Sequence, residues 1–137
     1  MSLRLARRLL LPLAVPLLLA GCSDPAAGPT RRGADRVPAA RVVGPAATCI
    51  PLTAFRETQV RDGQTIDFLA GRRGWRTTLP ARCPGLTIDR SFTYATSITQ
   101  LCSMDIIRVL QRLGPDLVPG AACGLGPFVP IELPERS

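Results

Sequence analysis

The stretch FRETQVRDGQTIDFLAGRRGWRTTL, residues 55–79, decides the fold. Asp62-Gly63 stands between two runs with apolar and β-branched residues at alternate positions. That pair suits a two-residue turn with positive φ, joining a strand at Phe55–Arg61 to one at Gln64–Leu69. Successive side chains of a strand point to opposite faces, so Ile66 and Phe68 share one face while Thr65, Asp67 and Leu69 share the other. Ile66 and Phe68 are the inward pair. Gly71-Arg72-Arg73-Gly74 makes a second turn into Trp75–Leu79, where Trp75, Thr77 and Leu79 alternate with polar neighbours. The stretch predicts a three-stranded antiparallel meander.

Further along, Pro80 ends the third strand and Arg82-Cys83-Pro84-Gly85-Leu86 reads as a turn. A residue before proline is pushed away from helical geometry, and glycine permits a tight reversal. Ser91–Tyr94 and Gln100–Cys102 read as short strands. Asp105–Leu110 is apolar enough for either a buried strand or a short helix, and the β-branched Ile106, Ile107 and Val109 favour the strand. Gln111–Ala122 carries Gly114-Pro115 and Pro119-Gly120, so a loop is expected. The prolines of Cys123–Pro130 restrict any strand there to an edge. The expected fold is mainly β: a small disulfide-braced antiparallel meander or partly open barrel over residues 48–137.

Upstream, Arg4, Arg7 and Arg8 precede the apolar run Leu9–Ala20, the pattern of a secretory signal. The run is short of the roughly 20 apolar residues a membrane-spanning helix needs, and Pro12 and Pro16 interrupt it. It ends in Leu19-Ala20-Gly21-Cys22, which resembles the lipobox of bacterial lipoproteins. That resemblance implies removal of residues 1–21, a diacylglycerol on the Cys22 sulfur and acylation of the new amino terminus. Several acyl chains would hold the protein on a membrane, where one alone binds marginally. Residues 22–47 then comprise the lipidated cysteine and a linker of Ala, Gly, Pro and Arg with no apolar period, expected to be disordered. Ser23 after the cysteine implies, by the same resemblance, the outer membrane, with the domain facing the periplasm of the cell envelope.

All 17 basic residues are arginine, and the formal charge of +7 includes the three in the signal. Nucleic acid is the wrong partner for an exported chain. Anionic lipid or glycan remains chemically suitable, because guanidinium meets such oxygens in a bidentate fork. The chain has no histidine, which removes the commonest general base and metal ligand. Ser91, Ser97 and Ser103 therefore lack that activator, while Asp67, Asp89 and Asp105 read as partners for arginine rather than a catalytic carboxylate pair. No catalytic residue, metal or cofactor is expected, and a hydrolase has the least support from the residues.

With Cys22 assigned to lipid, Cys49, Cys83, Cys102 and Cys123 form an even set in an exported chain, the pattern of two disulfides. No Cys-x-x-Cys pair suggests zinc or redox chemistry. Three pairings are open. The nested one, Cys83–Cys102 within Cys49–Cys123, is preferred because it closes the meander and pins the two ends. The ordered motifs Cys49-Ile50-Pro51-Leu52, Arg82–Leu86, Phe92-Thr93-Tyr94, Leu101–Asp105 and Cys123–Phe128 resemble a domain-of-unknown-function family of small exported proteins from Gram-negative bacteria, over roughly residues 48–131. The resemblance implies no activity.

Two roles follow as expectations. One is a membrane-anchored, non-catalytic structural or assembly component that contacts another envelope protein. The other is a binding module for acidic glycan or lipopolysaccharide, in which Trp75 and Tyr94 form an aromatic platform beside Arg72, Arg73 and Arg76.

Overall fold

The computed structural model describes residues 37–96 and 98–135. In chain order these form β1 (Arg41–Val42), β2 (Cys49–Pro51), a 3-10 turn (Leu52–Ala54), β3 (Glu57–Val60), β4 (Thr65–Ala70), β5 (Arg73–Thr78), α1 (Leu86–Asp89), β6 (Ser91–Tyr94), β7 (Gln100–Cys102), β8 (Ile106–Leu113), β9 (Asp116–Gly124) and β10 (Phe128–Glu132). The strands make a five-stranded sheet ordered β1-β10-β5-β4-β3, a three-stranded sheet β6-β8-β9 and a β2-β7 pair. All these pairings are antiparallel. The fold is mainly β and carries two disulfides, and the meander expected over residues 55–79 is β3-β4-β5.

One apolar core joins the three sheets. Ile66 and Phe68 of β4, Val60 of β3, Phe128 of β10, Ile107 and Val109 of β8, Ile50 of β2 and Leu101 of β7 are buried in it. Phe68 is its centre, with edge-on ring contacts to Phe55 at 5.0 Å, Phe128 at 5.7 Å and Phe92 at 6.4 Å. These are the edge-to-face geometries that the ring quadrupole favours. The buried Thr77 hydroxyl donates to the Gly126 carbonyl at 2.9 Å and accepts from its N–H at 3.1 Å. That reciprocal pair ties the β9–β10 connection to β5.

The turns and boundaries depart from expectation in several places. Val60 faces Ile66, and the Arg61 N–H donates to the Thr65 carbonyl at 2.8 Å. The first hairpin loop is therefore Asp62-Gly63-Gln64, three residues rather than two, and Gly63 is not among the positive-φ residues. Asp62 Oδ1 accepts from the Gln64 N–H at 2.8 Å, the local bond by which aspartate shapes a turn. The Gly63 carbonyl is held by the Cys83 N–H at 2.7 Å, so a distant segment helps set this turn.

Gln111–Ala122 is not a loop: it belongs to the long β8–β9 hairpin, which turns at Gly114-Pro115. Gly114 has φ 63°, and glycine at the first central position is what a type II′ turn requires. Pro119 is accommodated because β9 is an edge strand. Nor is β10 an edge, since it lies between β1 and β5. Pro130 fits there because its missing N–H falls on the β1 side. On that side its carbonyl still accepts from Val43 at 3.0 Å, and Ala47 resumes the pairing with Phe128.

The folded part also begins earlier than residue 48. Arg41 pairs with Glu132 and Val42 with Ile131, so the expected disordered linker does not extend to 47. The expected signal, Cys22 and linker residues 23–36 lie outside the described residues.

The disulfides are Cys49–Cys102 and Cys83–Cys123, not the nested pairing. Cys49 and Cys102 stand directly opposite each other in the β2-β7 ladder, with Cα atoms 4.0 Å apart. This leaves Cys83, in the turn after β5, to meet Cys123 on β9 at a Cα separation of 5.9 Å. The two closures interleave, and the second crosses from the meander's end to the three-stranded sheet.

Candidate functional site

Behind the core, β4 buries its second face as well. Thr65, Asp67 and Leu69 are all buried, and Asp67 is fully so. Asp67 faces Arg76 across the β4-β5 ladder. Arg76 grips the carboxylate as a fork, Nε to Oδ1 at 2.7 Å and Nη2 to Oδ2 at 2.9 Å, while Arg61 Nε donates to Oδ2 at 2.7 Å. Arg76 Nη1 reaches on to the Pro38 carbonyl at 3.0 Å. A carboxylate held by two guanidiniums satisfies the rule that buried charge must be paired and hydrogen-bonded. The arrangement carries one positive charge in excess.

Arg61 opens from this cluster into a groove of about 670 Å³. Leu69 of β4 and Gln59 of β3 line it with Pro38, which precedes β1, and with Leu133 and Pro134, which follow β10. The Leu133 N–H donates to the Arg72 carbonyl at 2.8 Å, which seats the C-terminal wall. Glu57, Arg72 and Glu135 also line it.

A second carboxylate sits at the end of the sheet. Glu132 accepts from Arg41, from Arg72 at 3.3 Å and pairs with Arg73 at 3.5 Å, while Arg72 also meets Glu135 at 2.8 Å. Burial acts to raise the Glu132 pKa. The charges of Arg73 and Arg41, with their hydrogen bonds, outweigh it and hold the carboxyl below its ordinary value of 4.5.

The structure divides the residues expected to form a binding platform. Trp75 and Tyr94 are half-buried and both pack against the core, from β5 and β6 respectively. Arg76 is on the opposite face of β5 from Trp75 and is engaged with Asp67. Arg72 and Arg73 serve Glu132. Arg73 and Trp75 share a hollow of about 200 Å³.

Of the other aspartates, Asp89 accepts from the Arg112 N–H at 2.8 Å and Asp105 from the Cys102 N–H at 2.7 Å. Among the described residues no group of three Cys, Asp or Glu is placed to hold a metal ion, and no helix is long and apolar enough to cross a membrane. Arg61, Gln59, Leu69 and Leu133, which build the largest groove described here, were not singled out by sequence. The one available signal was Asp67 on a strand between two arginine-bearing strands.

No family model, curated protein or solved structure matches the chain.

Proposed function

We propose that this chain is a membrane-anchored lipoprotein of the bacterial envelope, acting without catalysis as a structural or assembly component. The observation that carries the reading is Leu19-Ala20-Gly21-Cys22 placed directly after a basic and apolar leader. The two disulfides support it, since such bonds persist in oxidising compartments. The domain faces the periplasm from the outer membrane, by the reading of Ser23. Membership of the exported family is part of the same proposal. The partner is then another envelope protein. Binding of an acidic glycan or lipopolysaccharide is the second reading, favoured by the arginine cluster of Arg41, Arg72 and Arg73 at the end of the sheet.

The test is a non-reducing peptide map by mass spectrometry on the full chain made in a Gram-negative host. Acyl mass on Cys22 together with linked Cys49–Cys102 and Cys83–Cys123 peptides is expected. An unmodified Cys22 would overturn the anchor. In-cell crosslinking then separates the two roles: one recurring protein partner is expected, and capture of lipopolysaccharide alone would favour the second.

A further inference from the structure

We propose that the groove behind β4 binds a carboxylate carried on a short apolar body, with Arg61 as its anchor. Arg61 spends only Nε on Asp67. Its two Nη groups have no acceptor within the described residues, yet no buried side-chain nitrogen or oxygen there lacks a partner. Those Nη groups are therefore reached by solvent, and the space beside them is the groove. Arg61 is only 17 % exposed, so its remaining charge is thinly hydrated. The residue is also pre-organised: Arg76 fixes Asp67 by its fork, and Asp67 fixes the Arg61 guanidinium. A fixed fork of donors loses little freedom on meeting a planar carboxylate.

The walls select the rest of the ligand. Leu133 and Pro134 offer apolar surface in the groove that Arg61 lines, while Leu69 is buried beneath it and the Gln59 amide donates to Glu57 at 3.1 Å. Glu57 in the same lining repels a polyanion, while Glu135 is paired to Arg72, so a single carboxylate is favoured over a phosphate-rich ligand. A volume of about 670 Å³ lies in the range of small-molecule sites. The inference goes beyond the anchor and stands whether or not Cys22 carries lipid.

The experiment is an NMR titration of the full-length, isotope-labelled chain with N-acetyl-leucine, N-acetyl-leucinamide and acetate. N-acetyl-leucine is expected to bind in the millimolar range, shifting the Arg61 Nε–H and the methyls of Leu69 and Leu133. The amide, lacking the charge, and acetate, lacking the body, are each expected to bind about tenfold more weakly, a loss of about 1.4 kcal/mol. Arg61→Gln is expected to reduce binding by a similar factor, with its spectrum reporting whether the fold persists. Leu133→Ser leaves Asp67 untouched and is expected to weaken N-acetyl-leucine but not acetate, so it decides the matter if Arg61→Gln fails to fold. Equal binding of acid and amide, shifts that map outside the groove, or no shift up to about 50 mM ligand would each overturn the proposal.

Discussion

The two faces of β4 are buried to the same degree by opposite chemistry. Toward the core, Ile66 and Phe68 pack among Phe55, Phe92 and Phe128, with no polar group to satisfy. Behind, Asp67 is equally inaccessible and is held by Arg61 and Arg76, beside a groove lined by segments before β1 and after β10. The core face is non-directional and tolerant of detail. The rear face works only if three side chains keep one geometry, because a buried charge without its partners is costly. The difference places stability on one side of the strand and a defined, partly open polar site on the other.

The largest effect should come from the core face. Phe68→Ala removes the ring that three others contact and leaves a cavity at the centre, so a loss of about 3–5 kcal/mol is expected in chemical denaturation. A loss under about 1 kcal/mol would mean that the core closes over the gap and that the rear face carries more than its share.

Next comes a residue on which both faces depend. A Cβ on Gly74 would lie 2.0 Å from the Phe68 carbonyl oxygen and 2.8 Å from the Leu69 Cα, both backbone atoms that cannot swing aside. Gly74→Ala must push β4 from β5, and about 3 kcal/mol of destabilisation is expected, near the top of the usual overpacking range. Hydrogen exchange should show both strands opening. Exchange confined to one of them would break the link between the faces.

Asp67→Asn probes the rear face alone. A sealed ion pair broken on one side loses about 3–5 kcal/mol. Here both arginines are 17 % exposed and an amide still accepts hydrogen bonds, so about 2–3 kcal/mol is expected from the same denaturation curves. Replacing Arg61, Asp67 and Arg76 together by apolar residues should recover much of that loss, as apolar replacements of buried ion clusters often do. Failure to recover it would show that the triad contributes net stability.

The asymmetry also explains what the sequence disclosed. Alternation along residues 64–69 was enough to place Ile66 and Phe68 inward, because that pattern is local. It could not reveal that Asp67 and Leu69 are buried too, since Arg76, which grips Asp67, comes from the neighbouring strand, and Pro38, Leu133 and Pro134, which line the groove with Leu69, lie far away in the chain. Arg61 was legible only as the last residue of the expected strand Phe55–Arg61, for the same reason. Arg72, Arg73, Trp75 and Arg76 looked like one surface because they are close in sequence. On a strand, adjacency means opposite faces, and Trp75 and Arg76 point apart. The Gly and Pro residues of 111–122 suggested a loop because nothing local indicates an edge strand, where Pro119 is tolerated.

The smallest effect is expected at Glu132, which has the same ingredients as Asp67 in a place that water reaches. Its carboxyl is held below the ordinary value of 4.5 although burial opposes this, because Arg73 and Arg41 stabilise the charged form. A folded-state pKa below the unfolded one stabilises the fold above the unfolded value, and that contribution disappears as pH falls through the folded value. Glu132→Gln should therefore leave the midpoint of thermal unfolding nearly unchanged once the pH is so low that the native carboxyl is protonated. Near neutral pH the variant should melt slightly below the native chain, and the gap should narrow as the pH drops from about 4.5. High salt should narrow it as well, because exposed pairs are screened. The Asp67→Asn deficit should resist salt, since its partners are largely shielded from solvent. If both deficits respond to salt alike, burial is not what separates the two carboxylates, and the rear face of β4 is more open than its side chains suggest.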